Sequence, residues 1–217
     1  MDIGTAIKRP FTNITNLIIG LIVMIIPIIN ILVLPGYLLR VAKTAMTGDD
    51  KLPGFSDIGG LVVSSIKAIV VGVIYLIILT IIMSILALIP VIGGILALIA
   101  YIIAIFVILA GFMTLADTGS IGDALAFKAL FGKAKKGDFI IAVIVGYIIM
   151  AIVVGIIGLG AIIATAGPVA MGLLTGVLDA TTIITMVGAG MLGFAVLIIV
   201  AYIMEIFFIT VVAKAYK

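Results

Sequence analysis

Long runs of apolar residues, separated by short charged segments, dominate the chain. Residues 10–39, 68–116, 139–178 and 180–204 carry no charge. A helix needs roughly 20 apolar residues to cross about 30 Å of hydrocarbon, and each run is longer than that. The runs do not alternate polar with apolar positions, which favours helices over a transmembrane barrel. The pattern predicts an all-α, polytopic integral membrane helix bundle.

Only Asp179 separates the last two runs, so the runs form three apolar blocks. Each block has a helix breaker near its middle: Pro27 with Asn30, Pro90 with Gly93, and Pro168. The run around Pro90 is far too long for one crossing, so we expect a hairpin turn there. Proline beside Gly or Asn is typical of turns. Applied to all three blocks, this predicts about six transmembrane helices in three hairpins, over approximately residues 10–47, 61–116 and 138–213. The whole chain, 1–217, is then a single membrane domain.

The first block allows two interpretations, because segment 10–47 either crosses once or turns at Pro27. A single crossing places Lys8 and Arg9 on the opposite side from Arg40 and Lys43. A hairpin places all 12 Lys and Arg residues on one side, which fully satisfies the preference of such loops for the cytoplasm. The hairpin therefore predicts a multi-pass plasma-membrane protein with both termini and segments 48–60 and 117–137 cytoplasmic. Segment 167–182 also allows two interpretations, because it is either a loop or a re-entrant helix.

Composition agrees with a membrane protein and removes several kinds of chemistry. Hydrophobic residues make up 66% of the chain, charged residues 10%, and the mean hydropathy is +1.61. The chain has neither Cys nor His, so it lacks the thiolate nucleophile and the commonest general base and metal ligand. We expect no enzyme, no catalytic residue, no cofactor and no metal site. The preference of Lys and Arg for cytoplasmic loops explains the net charge of +3. Nucleic-acid binding is therefore not expected.

Three stretches carry a resemblance to a known family: "RPF", "GYLLRVAKTAMTGDDKLPGF" and the terminal "AKAYK". On these, the chain resembles a prokaryotic, mostly archaeal, polytopic membrane-protein family known only as domain of unknown function 4013, over nearly its whole length. The resemblance implies a multi-helix plasma-membrane protein and no established activity or catalytic residue. Its most specific pattern, GY-x-L-R…G-x-x-x-L-P-x-F, falls on Gly36, Tyr37, Leu39, Arg40, Gly48, Leu52, Pro53 and Phe55.

Glu205 is an acid deep inside a predicted span. Acids within the membrane are costly, generally face the protein interior, and mark either an ion path or a fixed ion pair. Lys67 is predicted to lie at a similar depth. We expect Glu205 and Lys67 to pair directly or to share a small polar cluster with Ser64, Ser65 or Tyr202.

A lysine-rich segment, "KALFGKAKK", lies in the second charged stretch. Cations at this position gain about 1 kcal/mol each beside an anionic leaflet. The candidate lipid-surface contacts are Lys128, Lys133, Lys135 and Lys136. Glycines crowd the last third of the chain and predict close helix packing or oligomer contacts, with a broken helix that lines a cavity as the alternative.

Two hypotheses for the function follow from these patterns. The first is a structural or interaction subunit, or membrane scaffold, whose partners are membrane lipids and another membrane protein or a second copy of the chain. The alternative is a transporter or channel for a small solute, ion or lipid that uses Glu205. A hydrophilic substrate needs several inward-facing polar side chains, and their scarcity favours the first hypothesis.

Overall fold

The structure, a computed structural model, describes residues 3–176 and 180–217. These residues form α-helices and one 3-10 helix, and they contain no strand. This confirms the predicted all-α membrane bundle. In chain order the elements are α1 (Ile3–Lys8), the 3-10 helix (Arg9–Thr12), α2 (Ile14–Ile25), α3 (Pro27–Met46), α4 (Ile58–Ala87), α5 (Gly93–Thr118), α6 (Ile121–Ala124), α7 (Phe127–Ala134), α8 (Gly137–Thr175) and α9 (Ala180–Tyr216).

Five of these helices, α3, α4, α5, α8 and α9, are long and apolar enough to cross a membrane. Helix α2 has only 12 residues, about 18 Å at 1.5 Å per residue, which is short of the hydrocarbon thickness. Five helices of the described residues thus meet the length for a crossing, and α2 is a sixth, shorter apolar helix. Helix α2 starts later than predicted because Asn13 is its N-cap and accepts a hydrogen bond from the Asn16 N–H at 3.1 Å.

The chain turns back between α2 and α3, at the first predicted breaker. Ile26 is extended, with φ −90° and ψ 107°, as expected for a residue that precedes proline. Asn30 donates from Nδ2 to the Met24 carbonyl at 2.8 Å, which satisfies an acceptor at the end of α2. Arg9, just before α2, reaches the Val41 carbonyl near the end of α3. The two helices are therefore antiparallel, as the hairpin interpretation expects; how the first block lies in the membrane stays a prediction.

The second breaker also forms a turn, as predicted. Helix α4 ends at Ala87 and α5 begins at Gly93. Val91 has a φ of +66°, a strained conformation for a β-branched residue. At Gly93, a Cβ would lie 2.3 Å from the Leu86 carbonyl oxygen, so this turn requires glycine.

The third breaker behaves differently from the prediction. Helix α8 continues through Pro168 to Thr175, and Gly176, with a φ of +69°, follows it. Membrane helices tolerate proline because neighbouring groups and local adjustments satisfy the freed backbone. Most of the predicted connection, 167–182, including Gly172, is therefore helix. Residues 177–179 of that connection lie outside the described residues.

Contacts divide the chain into two compact units: a first unit of Met1–Ile144 with Ile206–Lys217, and a second unit of Val145–Glu205. In the first unit, α3, α4 and α5 pack around a core that includes Tyr37, Val41 and Val71. The single-domain assignment for 1–217 stays a prediction.

The second unit, Val145–Glu205, consists of most of α8 and the first part of α9, packed against each other in opposite directions. A Cβ on Gly193 would lie 2.9 Å from the Ala161 Cβ, and one on Gly190 would lie 3.4 Å from Thr165. Positions rise along one helix as they fall along the other, which defines the antiparallel register. Glycine thus allows the close approach that the sequence predicted for this third of the chain.

Candidate functional site

A buried arginine joins four segments at the charged end of the first unit. Arg9 is 0% exposed. Its Nη1 donates to the Val41 carbonyl at 2.9 Å and to Thr210 Oγ1 at 3.0 Å. Its Nη2 donates to Thr44 Oγ1 at 2.5 Å and to the Lys51 carbonyl at 3.4 Å. One guanidinium therefore fastens the N-terminal segment to the end of α3, to the following loop and to the last part of α9.

Burial disfavours the charged form of Arg9, and nearby carboxylates favour it. Desolvation lowers the pKa of the Arg9 guanidinium, while the carboxylates of Asp49 and Asp50 raise it. An arginine stays protonated through such opposing effects because its usual pKa lies far above neutral pH. Asp50 also accepts a salt bridge from Lys214 Nζ at 2.6 Å, so the same loop holds the C-terminal end of α9.

The first loop, residues 47–57, is held on α3 by the family-pattern residues. Tyr37 donates from its hydroxyl to the Pro53 carbonyl at 3.1 Å, and its ring stacks on Phe55 with 3.9 Å between centroids. Leu52 is buried, and its N–H donates to Thr12 Oγ1 at 2.8 Å. The pattern therefore encodes a fastened loop.

Arg40, another residue of that pattern, supports the end of the same loop. Its Nη1 donates to the carbonyls of Gly54, at 3.1 Å, and of Ser56. Its Nη2 lies 3.7 Å from Asp57 Oδ2, a loose contact for an ion pair. Asp57 has a φ of +60° and is the N-cap of α4, accepting from the Gly60 N–H at 3.0 Å. Arg40 thus helps to fix the point where α4 starts.

Gly36 marks the closest approach of α3 to α4. A Cβ at this position would lie 2.0 Å from the Leu61 carbonyl oxygen. The Gly36 N–H, one residue after Pro35, donates to Ser65 Oγ at 2.8 Å. Ser65, predicted to belong to a cluster with Glu205, is thus bonded to the α3 backbone.

The second loop, residues 119–136, is held by aromatic side chains that the sequence did not single out. Tyr75 donates to the Ala124 carbonyl at 2.5 Å, and Phe127 lies edge-on to its ring at 5.8 Å. Gly111 makes room for Tyr75, since a Cβ there would lie 2.0 Å from the tyrosine oxygen. Leu130 of α7 is buried. This loop, like the first, is fastened to the spanning helices.

The four predicted lipid-contact lysines separate into two kinds. Lys128, Lys135 and Lys136 are exposed, whereas Lys133 is half-buried. Lys133 donates to the Tyr216 hydroxyl, and its Nζ lies 4.5 Å from the centre of that ring. Lys133 therefore holds the C-terminus, and lipid contact by all four lysines stays a prediction.

A polar pocket of about 270 Å³ lies where α3, α4 and α5 reach the charged end. Three of its lining side chains are cationic: Arg40, Lys43 and Lys67; Asp57 is the acid among them. Lys67 Nζ donates to the Gly119 carbonyl at 2.8 Å, beyond the end of α5. We refer to this cavity as the cationic pocket.

The Glu205–Lys67 pair stays a prediction. Glu205 lies within α9, is half-buried and belongs to the second unit, whereas Lys67 belongs to the first. The bond from Lys67 to Gly119 shows that this lysine has a partner of its own. Ser64, proposed for the same cluster, lines the cationic pocket, and Tyr202 is buried.

Two further cavities are apolar. One, of about 300 Å³, is lined by α4, α5 and α7 and includes Tyr75, Val107 and Phe127. The other, of about 340 Å³, lies between α8 and α9 and includes Ala161, Leu192 and Gly193. Within the described part of the chain, no three His, Cys, Asp or Glu side chains lie close enough together to hold a metal ion.

Comparison with protein families gives one match. The family described as "Protein of unknown function (DUF4013)" matches residues 19–165, from α2 to the last third of α8. The chain belongs to this family. The DUF4013 match contains the whole Gly36–Phe55 pattern and the cationic pocket. It covers less than the resemblance implied, because "RPF" and "AKAYK" lie outside it. Neither the comparison with curated proteins nor that with solved structures gave a match.

The sequence predicted a first loop at 48–60, near the observed 47–57, but gave no sign of the structural roles of Arg9, Lys43 and Tyr75. A cation just before an apolar run is the ordinary sign of a cytoplasmic flank, and the sequence has no signal that separates a buried one from an exposed one. The spacing of Arg40 and Lys43, one helical turn apart, was available as a signal for a shared face. The sequence carried no signal that α4 and α5 converge on that face.

Proposed function

We propose that this protein is a non-enzymatic structural or interaction module of the membrane, and that its second unit is the contact surface. The observation that supports this is the exposure of large apolar side chains on both helices of that unit. They include Ile152, Ile156, Leu159, Ile162, Ile163, Ile184, Met191, Leu192 and Phe194. Such a surface fits either lipid chains or the helices of another membrane protein.

Small residues favour a protein partner over lipid alone. Gly160, Ala164 and Ala189 line the groove between α8 and α9. Small residues let the backbone of another helix approach closely, which is the usual basis of helix association in membranes. The groove is continuous with the exposed apolar side chains, so a helix that is seated in it buries both.

The contacts at the charged end favour a rigid interaction module over a transporter with moving parts. Arg9, Arg40 and Tyr37 direct their hydrogen bonds to loop and helix groups of the chain itself. A transporter for a hydrophilic solute needs polar groups along its path, but the two large apolar cavities have nearly wholly apolar linings. Glu205 remains the residue on which a transport function would depend.

The membrane and the orientation form part of the proposal. All 12 Lys and Arg residues lie in the first unit, and the contacts of Arg9 and Lys214 bring both ends of the chain to the first loop. By the positive-inside preference, we assign this end to the cytoplasm and the protein to a prokaryotic plasma membrane, as the family resemblance implies.

Photo-crosslinking in native membranes tests the contact surface. A benzophenone amino acid replaces Leu192, which is 71% exposed in the groove of the second unit, or, as a control, Leu76, which is 63% exposed on α4. We expect Leu192→benzophenylalanine to give a discrete protein adduct, identified by mass spectrometry as a partner or a second copy, and the control to give lipid adducts. Lipid adducts alone at both positions would exclude the interaction module.

A further inference from the structure

We propose that the cationic pocket binds a phosphate group, carried either by a membrane lipid or by a small soluble molecule. The proposal is independent of the interaction surface on the second unit. It rests on the charge, the geometry and the surroundings of the pocket.

The charges in the pocket are unbalanced. Three cations, Arg40, Lys43 and Lys67, face one acid, Asp57. Asp57 compensates little, because its side chain is 71% exposed and its carboxylate lies 3.7 Å from the Arg40 guanidinium. Exposed ion pairs of this kind contribute little to stability. An anion in the pocket gains from charges that the protein leaves uncompensated.

Two of the three cations are held in place before any ligand arrives. Arg40 is fixed by the carbonyls of the first loop, and Lys67 by the Gly119 carbonyl. These acceptors are neutral and leave the positive charges intact. The Lys43 side chain is exposed and has no hydrogen-bond or ion-pair partner among the described residues, and Lys43 stands one turn after Arg40 on α3. Phosphate accepts several charge-assisted bonds at once, which matches a fixed guanidinium with two ammonium groups.

The position of the pocket suits a group at the membrane surface. It lies between the last turns of α3 and α5 and the first part of α4, at the charged end of three spanning helices. Val63, Ile66 and Val70 on α4 are exposed apolar residues close in sequence to Lys67, so the pocket borders a lipid-facing surface. Its volume, about 270 Å³, is near the lower end of small-molecule pockets, which hold about 300–1,000 Å³. The pocket is therefore sized for a compact head group.

The test uses the full chain in nanodiscs of phosphatidylcholine, with and without phosphatidylglycerol. Native mass spectrometry counts bound lipid, and thermal unfolding with inorganic phosphate measures soluble anion. The variant is Lys43→Gln with Lys67→Gln, and its charge-matched control is Lys51→Gln with Lys217→Gln, two exposed lysines outside the pocket. We expect the pocket variant to bind the phosphate-bearing probe roughly 25-fold more weakly, about fivefold for each cation, and the control to bind as the parent does.

The two sources give different results, and either supports the site. Retention of phosphatidylglycerol that only the pocket variant loses identifies a lipid head group. Stabilisation by inorganic phosphate that only the pocket variant loses identifies a soluble phosphate compound. If the double variant misfolds, Lys43→Gln alone tests the site, because Lys43 has no described partner to lose. Equal binding by the pocket variant and the control, or no binding of either probe by the parent, overturns the proposal.

Discussion

At the residue scale, one side chain organises the charged end of the first unit. Arg9 makes four hydrogen bonds to groups that are 32 to 201 residues away along the chain. No other side chain offers this geometry, because the five donors of a guanidinium spread in a plane while an ammonium is a single point charge. Arg9 therefore holds distant segments together through hydrogen bonds, and the planar shape of its guanidinium matters more for this role than its charge.

Replacement of Arg9 by lysine tests that role. Arg9→Lys keeps the charge but cannot reach the acceptors on α3, the first loop and α9 together, so we expect a loss of about 2 kcal/mol, typical of one charged hydrogen bond or more. For a chain of this size that is a fall of roughly 4–8 °C in Tm, measured by thermal unfolding in detergent. Lys8→Gln, at the exposed neighbouring position, is the control and should unfold with the parent. A parent-like Tm for Arg9→Lys would contradict the fastening role.

The family pattern in the sequence marks residues of the first loop but does not show what contacts they make. Tyr37, Arg40 and Pro53 were named as family-pattern residues, and the structure shows them in contact. The signal was sufficient because these residues are close in sequence, within one helix end and the loop that follows it. Arg9 escaped because its partner Thr210 is on the last helix, and periodicity carries no information on such distant contacts.

Among the helices, whether a proline ends the helix depends on the groups around it. The breakers at Pro27 and Pro90 end helices, whereas α8 passes through Pro168. The two that end helices have a further turn feature: the Asn30 side chain caps α2, and Gly93 accommodates the Leu86 carbonyl. Proline alone does not decide between a kink and a turn in a membrane helix, because other groups can satisfy the freed carbonyl. This is why the sequence left segment 167–182 open between a loop and a helix.

The packing of α3 on α4 depends on the absence of a side chain at Gly36. Gly36→Ala places a Cβ 2.0 Å from the Leu61 carbonyl oxygen, which backbone movement alone can relieve. We expect a loss of about 1–3 kcal/mol, the usual cost of overpacking, as a lower Tm and faster proteolysis of the first loop. The matched control is Gly155→Ala, in the interior of α8 with no atom within 4 Å of a new Cβ. It should be neutral or slightly stabilising, since alanine favours helix. Equal Tm values for the two variants would show that the α3–α4 contact is looser than described.

At the scale of the whole molecule, charge is distributed unevenly between the two units. All 12 Lys and Arg residues belong to the first unit, and its N-terminal segment, both loops and the end of α9 are joined by Arg9, Lys214 and Lys133. The apolar runs predicted that the charged residues gather in short segments between the helices, and the membrane side that these segments face stays a prediction. The cationic pocket was beyond prediction, since it forms only where three helix ends converge.

We expect the first block to form a hairpin and the charged segments to share the cytoplasmic side of the membrane. The chain has no native cysteine, so single cysteines report on it directly with a membrane-impermeant thiol reagent in intact cells. Val91→Cys, at the 95% exposed tip of the α4–α5 turn, should be labelled from outside. Lys8→Cys, Lys43→Cys and Lys136→Cys should be labelled only after the membrane is opened. Labelling of Lys8→Cys in intact cells, with Lys43→Cys protected, would establish a single crossing of the first block and contradict the account.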